Sequence, residues 1–209
     1  MDIAASTLGP QATYKLITGI VVPRPIAWVT TRSEGGPVNL APFSAFTFVS
    51  TKPPMVGINV GRKAGKMKDT GRNIHATGEF VVNIADATMI ENVHLSAIEH
   101  EPEVSEVEEL GLSTIPSQSI ATPRLANAPI SLECRLHRAI AFGDTGSEFI
   151  VGEIIVFHIR EGLLEGGKID TAKLDPICRI GGPRYAKLGE IITLMPIAQT
   201  AKTVLADKS

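Results

Sequence analysis

Hydroxyl and cationic side chains gather in one third of this 209-residue chain. Ser44, Ser50 and Thr51 lie on a strand-like stretch from Asn39 to Pro54. Arg62, Lys63, Lys66 and Lys68 come next, in a loop that runs into Asp69-Thr70 and a helix-like segment. Hydroxyls at strand ends, a cationic loop and a helix start with free N–H groups are what a phosphate needs from a protein. Each also has a plainer use, since hydroxyls at strand ends serve turns and a single cation is at home in a solvated loop. Four cations within seven residues beside a helix start shift the cluster towards function, as a phosphate-bearing cofactor lying across this hairpin. Gly181-Gly182-Pro183-Arg184-Tyr185 is a second unusual stretch. Its glycines let backbone approach a ligand and Tyr185 offers a face for stacking, with a plain loop as the competing reading.

Other chemistries lack their signatures. No Gly-x-Gly-x-x-Gly comes after a strand, and neither a Walker loop nor a Gly-x-Ser-x-Gly elbow is present. The five histidines show no His-x-x-x-His spacing, and the six glutamates between Glu99 and Glu109 read as a solvated loop with a short acidic helix, so no metal ligand is assigned. Cys134 and Cys178 stand far apart, which fits reduced thiols. A net charge of −2 argues against nucleic acid or an anionic membrane as partner. No signal peptide or spanning run is visible, and the expectation is a soluble, cytoplasmic protein. The apolar fraction of 44% calls for a thick core or an oligomer interface.

The elements that must position these residues are mostly strands. Ala12–Thr18 reads as a short helix or a strand lead-in, and Ile20-Val21-Val22 as a strand. Ile26–Thr31 is β-branched and aromatic, and Ser33–Pro37 is a turn that joins the strands on either side of it into a hairpin. The stretch from Asn39 to Pro54 alternates strictly, with Phe43, Ala45, Thr47 and Val49 on one side and Ser44, Phe46, Phe48 and Ser50 on the other. After Met55–Val60 come a helix over Lys66–His75 stopped by Gly78, a buried strand Phe80–Ile84 and a helix over Ala87–Ser96. Ile130–Ala141 and Glu148–Ile159 alternate on either side of Gly143-Asp144-Thr145-Gly146, a hairpin by its chemistry. Ile191–Met195 is a last strand or a tail. The expected architecture is one domain over 1–209, with a core of about 14–190 and a tail of about 196–209. It is mainly β, an antiparallel barrel with helical insertions.

The order of motifs carries more information than any one of them. Arg24-Pro25-Ile26-Ala27-Trp28-Val29, Asn39-Leu40-Ala41-Pro42-Phe43-Ser44, Pro53-Pro54, Lys68-Asp69-Thr70, Ser105-Glu106-Val107, Leu132-Glu133-Cys134, Val151-Gly152-Glu153, Arg179-Ile180-Gly181-Gly182 and Tyr185 appear in that sequence. Together they resemble the flavin reductase-like, FMN-binding split-barrel family, most closely the branch of flavoredoxin and the reductase components of two-component monooxygenases. The resemblance implies a six-stranded antiparallel Greek-key split β-barrel that dimerises, with FMN at or near the subunit interface. It implies that Asn39, Leu40, Ala41, Pro42 and Ser44 run under the flavin ring, with Asn39 and Ser44 orienting it. On the phosphate side it places Ser50, Thr51, Lys68, Asp69 and Thr70, and it leaves open which of Arg62, Lys63 and Lys66 joins them. The resemblance also implies that Tyr185 closes over the ring. The implied activity is hydride transfer from NADH or NADPH to flavin, chemistry that belongs to the cofactor and requires no catalytic acid–base pair from the chain. Reduced flavin then passes to a partner oxygenase or redox protein. A flavoredoxin-like electron carrier with tightly held FMN, or a flavin-sequestering module, are the alternatives.

Overall fold

In the computed structural model, which describes residues 1–33 and 35–198, seven strands form one antiparallel sheet. They are β1 (Ala27–Arg32), β2 (Val38–Phe43), β3 (Phe46–Thr51), β4 (Pro54–Val60), β5 (Glu79–Ile84), β6 (Ile130–Phe142) and β7 (Ser147–Ile159). The spatial order is β2-β1-β5-β6-β7-β4-β3, so the two edge strands are consecutive in sequence. Only Ser44 and Ala45 separate them, and there the Asn59 N–H donates to the Ala45 carbonyl at 2.9 Å. The sheet therefore curls until its edges meet through this two-residue link, which is the split barrel.

That geometry revises the reading of residues 39–54 as one strand. The path breaks at Ser44-Ala45, where Phe43 still pairs with Ala27 but Phe46 already pairs with Ile58. Counting the halves separately gives seven strands where six were expected. The long hairpin of β6 and β7 forms where expected, pairing from Ile130↔Ile159 to Phe142↔Ser147 with register shifts between Glu133 and Cys134 and between Leu136 and Arg138.

Period-two alternation explains the two cores. Ala27 and Val29 of β1 point into the barrel with Phe43, Ile58, Phe80 and Ile150. Ile26 and Trp28 point the other way, into an outer cluster with Leu40, Val93, Val107 and Leu125. The Trp28 indole N–H is satisfied there by Ser96 Oγ at 2.8 Å.

The helices cover the outside. α1 spans Pro10–Ile20, with Pro10 in the first turn, where a missing N–H costs nothing. It replaces the expected strand at Ile20-Val22, which is the end of α1 and a bend. α2 runs Asp69–Thr77 and stops at Gly78, whose φ of 70° gives the left-handed cap expected at that glycine. Lys66 and Met67 lie outside it, in a two-residue ladder with Arg62 and Lys63. α3 (Ile90–Leu95) comes after a short 3-10 turn at Ala87–Met89, and α4 is the acidic Glu106–Glu109. Ile191–Met195 forms no strand, and residues 199–209 of the expected tail lie outside the described residues. Among the described residues no helix is long and apolar enough to cross a membrane.

Candidate functional site

Strand β2 is the floor of a groove. Asn39, Ala41, Pro42 and Phe43 face Lys66, Lys68, Asp69 and Thr70 across a cleft of about 420 Å³, whose far wall is the segment 96–102. A second cleft, of about 300 Å³, shares Pro42 and Ala97 with the first and is lined by Ser44, Arg24, Arg179 and Tyr185. The two make one elongated depression along β2, of the size small ligands occupy.

At one end of it, α2 begins without any side-chain cap. Lys66 and Lys68 are exposed, and among the described residues no carboxylate pairs with either. Thr70 is buried, and its Oγ accepts from Asn39 Nδ2 at 3.0 Å. Asp69 pairs with Arg72. An uncapped helix start beside two unneutralised lysines favours an anion.

Asn39 lines the groove, and its amide N–H groups have partners within the chain. Its amide nitrogen donates to Thr31 Oγ1 at 3.2 Å and to Thr70, so both N–H bonds tie β2 to β1 and α2. Asn73 reaches the same Thr31 hydroxyl. Leu40 also leaves the site, because its side chain is wholly buried in the outer core and its N–H donates to Glu106 Oε2 at 2.9 Å. Since alternate groups of an edge strand face away from the sheet, Ala41 N–H turns inward to β1. Pro42 takes the next outward position, where no ladder bond is lost. Glu106 is not the solvated acid expected from its surroundings. It is buried on the cleft wall, and burial pushes its pKa up against the pull of the Leu40 hydrogen bond.

At the other end, Ser44 Oγ accepts from Arg24 Nε at 3.2 Å. Tyr185 is held by Arg179, whose Nη1 donates to its hydroxyl at 2.7 Å and whose guanidinium carbon lies 4.7 Å from the ring centre. His94 meets the same hydroxyl at 3.2 Å and packs edge-on to the ring. Sequence reasoning misses Arg24, Arg179 and His94 as site residues, although Arg24 and Arg179 stand within the motifs that carry the family resemblance.

Three expected phosphate ligands do not join this groove within one chain. Ser50 and Thr51 pair with Met55 and Pro54 at the start of β4, while Val60 at its other end packs by Gly71 of α2. Five residues of strand separate the two places by about 17 Å. Ser50 Oγ instead accepts the Lys52 N–H, a local turn. Arg62 donates to the Gly146 carbonyl at 2.9 Å and pairs with Glu148 at 3.8 Å, fastening the β6–β7 turn. Of the basic candidates whose side chains are described, Arg62 and Lys66, Lys66 lines the groove, and the side chain of Lys63 lies outside what the structure describes.

Comparison with known proteins adds a family. The model of the family described as "Flavin reductase like domain" matches residues 19–172. The uncharacterized protein YwrF of Bacillus subtilis is 42% identical over 91% of this chain and 96% of its own length. Among solved structures, nitrilotriacetate monooxygenase component B from Bacillus cereus superposes with a TM-score of 0.90 at 39% identity, over 93% of this chain and 98% of that one. The 2-nitrobenzoate 2-nitroreductase NbaA of Pseudomonas fluorescens gives 0.81 at 36%, over the whole of both chains.

Proposed function

The chain belongs to the flavin reductase-like domain family, and on that premise we propose that it is an FMN-dependent NAD(P)H:flavin oxidoreductase working as a homodimer. The observation that carries this reading is the continuous groove along β2, with an uncapped helix start and two lysines without a carboxylate partner among the described residues at one end and Ser44, Arg24 and Tyr185 at the other. The residues fit a mononucleotide. Lys66, Lys68 and the first turn of α2 suit its phosphate, and Pro42, Ser44 and Tyr185 suit a flat apolar ring with polar edges. Bound FMN supplies the acceptance of hydride and the storage of its electrons. The chain's own residues bind, orient and shield. Asn39 fixes Thr70 beneath the phosphate end, Arg24 fixes Ser44 at the ring end, and Arg179 with His94 fixes Tyr185 over it.

The likeness to a monooxygenase component B supports delivery of reduced flavin to a partner oxygenase. Anaerobic addition of NADH or NADPH to the purified protein supplied with FMN tests the reductase reading, with the visible flavin band as readout. Rapid bleaching at micromolar nicotinamide is the expected result and identifies the donor. A yellow protein that ignores both nicotinamides is a carrier between redox proteins, and one that never takes up FMN ends the proposal.

The homodimer rests on uncovered apolar surface. α1 buries none of its residues, and Tyr14, Ile17 and Ile20 stand exposed, as do Phe48 and Val49 on edge strand β3. Tyr14 and Thr18 also line the ring-end cleft, so a second copy over α1 would help close it. Light scattering should return twice the 22.3 kDa chain mass. A monomer at working concentration would remove this part of the reading.

A further inference from the structure

A separate cavity of about 910 Å³ shares no lining residue with either cleft of the groove. Asp86, Arg124, Phe157, His158 and Arg160 are on its walls. Its charges do not balance. Asp86 accepts the Thr88 N–H and hydroxyl on Oδ1, at 3.0 and 2.5 Å, and Arg160 on Oδ2 at 3.4 Å. His158 Nε2 lies 2.6 Å from Glu133 Oε1.

Arg124 is left over. Among the described residues no hydrogen bond or ion pair engages its guanidinium, and its Nε is the one buried side-chain nitrogen or oxygen without a partner. Arg124 is half-buried and only its Nε–H is shut away from water, but such a donor without an acceptor is costly and native proteins rarely leave one so. Nor is the segment carrying it loose. Pro123 O accepts from Thr30 Oγ1 at 2.8 Å, Leu125 N–H donates to Asn83 Oδ1 at 3.1 Å, and the Leu125 side chain is in the outer core. A rigid frame therefore presents an uncompensated cation to the cavity, with a second arginine and the half-exposed face of Phe157 also on its wall.

We propose that this cavity binds a small organic anion, its carboxylate or phosphate held by Arg124 and Arg160 and its apolar body against Phe157. The fork of a guanidinium suits either head group, because parallel N–H donors match two oxygens.

The test uses the full chain, ¹⁵N-labelled, with the arginine Nε–H resonances as readout, so that binding in the flavin groove does not confuse it. The Arg124 signal is identified by its loss in Arg124→Lys. Benzoate and inorganic phosphate are titrated separately. A saturable shift of the Arg124 resonance is expected, with affinity weakened about tenfold in Arg160→Ala, where one of two charge-assisted contacts is gone. A response to benzoate alone assigns a carboxylate, and to phosphate alone a phosphate. No saturable shift with either probe, or undiminished affinity in Arg160→Ala, overturns the proposal. Should Arg124→Lys fail to fold, assignment through the backbone and the exposed Arg160 position carry the test.

Discussion

Glu133→Ala should lower the melting temperature by roughly 10 °C. The wild-type carboxylate is fully buried inside the sheet and accepts three hydrogen bonds, from Gln118 N–H at 2.6 Å, Ser119 N–H at 2.8 Å and His158 Nε2 at 2.6 Å. Truncation strands two backbone donors and a ring nitrogen at once, a loss of about 3–5 kcal/mol for the breaking of a buried charged network. Such a loss is a large share of the whole stability of a domain. The pH dependence identifies the cause. Burial alone would raise the Glu133 pKa, but the hydrogen bonds from Gln118, His158 and Ser119 together hold it below the ordinary glutamate range. A depressed folded-state value means that the contribution is complete above the unfolded pKa and fades as pH falls through the folded one. The gap between wild type and variant should therefore be full at neutral pH and narrow below about pH 4. Calorimetry across that range checks it. A gap that is small at neutral pH, or that persists unchanged into acid, would show that the carboxylate is not the source.

The same residue shows what a sequence conceals. Glu133 sits in a strand whose alternation is plain, so its position in β6 is readable. Its partners in the loop at 118–119 are not, because a side-chain hydrogen bond leaves no periodicity behind. Likewise the β6–β7 hairpin and the Gly78 stop are local matters of alternation and turn chemistry, and both form where expected. The break at Ser44-Ala45 is a different kind of fact. Both halves obey a period of two, and only long-range pairing, Phe43 with Ala27 and Phe46 with Ile58, makes them opposite edges of one sheet. Proximity in sequence is not proximity within one folded chain. Ser50 and Thr51 lie close to Ser44 along the chain, yet β3 carries them away down β4, while the distant Lys66, Lys68 and Thr70 return beside Asn39. At Ile20-Val22 three β-branched residues suggest a strand, but Pro10 starts a helix that runs to Ile20, and its apolar side chains stay uncovered. Propensity gives way there to helix initiation.

Arg24→Met should weaken FMN binding about 100-fold, near 2.7 kcal/mol, more than the loss of any single lysine at the phosphate end. The argument rests on what the guanidinium joins. Nη1 donates to the carbonyls of Thr18 and Val21 at 2.6 and 2.7 Å, which places a cation on the unsatisfied C-terminal end of α1. Nε donates to Ser44 Oγ at the link between the edge strands, and Nη2 reaches the Ile180 carbonyl at 3.3 Å, beside the glycine pair. One side chain thus holds α1, the barrel closure and the loop bearing Tyr185 around the ring-end cleft, and all three walls lose their common tie when it goes. Lys68, by contrast, is a single exposed charge, so Lys68→Ala should weaken binding only about tenfold and more at low salt than at high. Arg24→Lys should rescue little, because one ammonium cannot reproduce a planar fork aimed at four oxygens. Fluorescence titration of FMN with the three variants, alongside their melting curves, separates a lost cleft from a lost fold. Wild-type affinity in a folded Arg24→Met, or a larger loss in Lys68→Ala, would show that the flavin does not depend on this end of the groove.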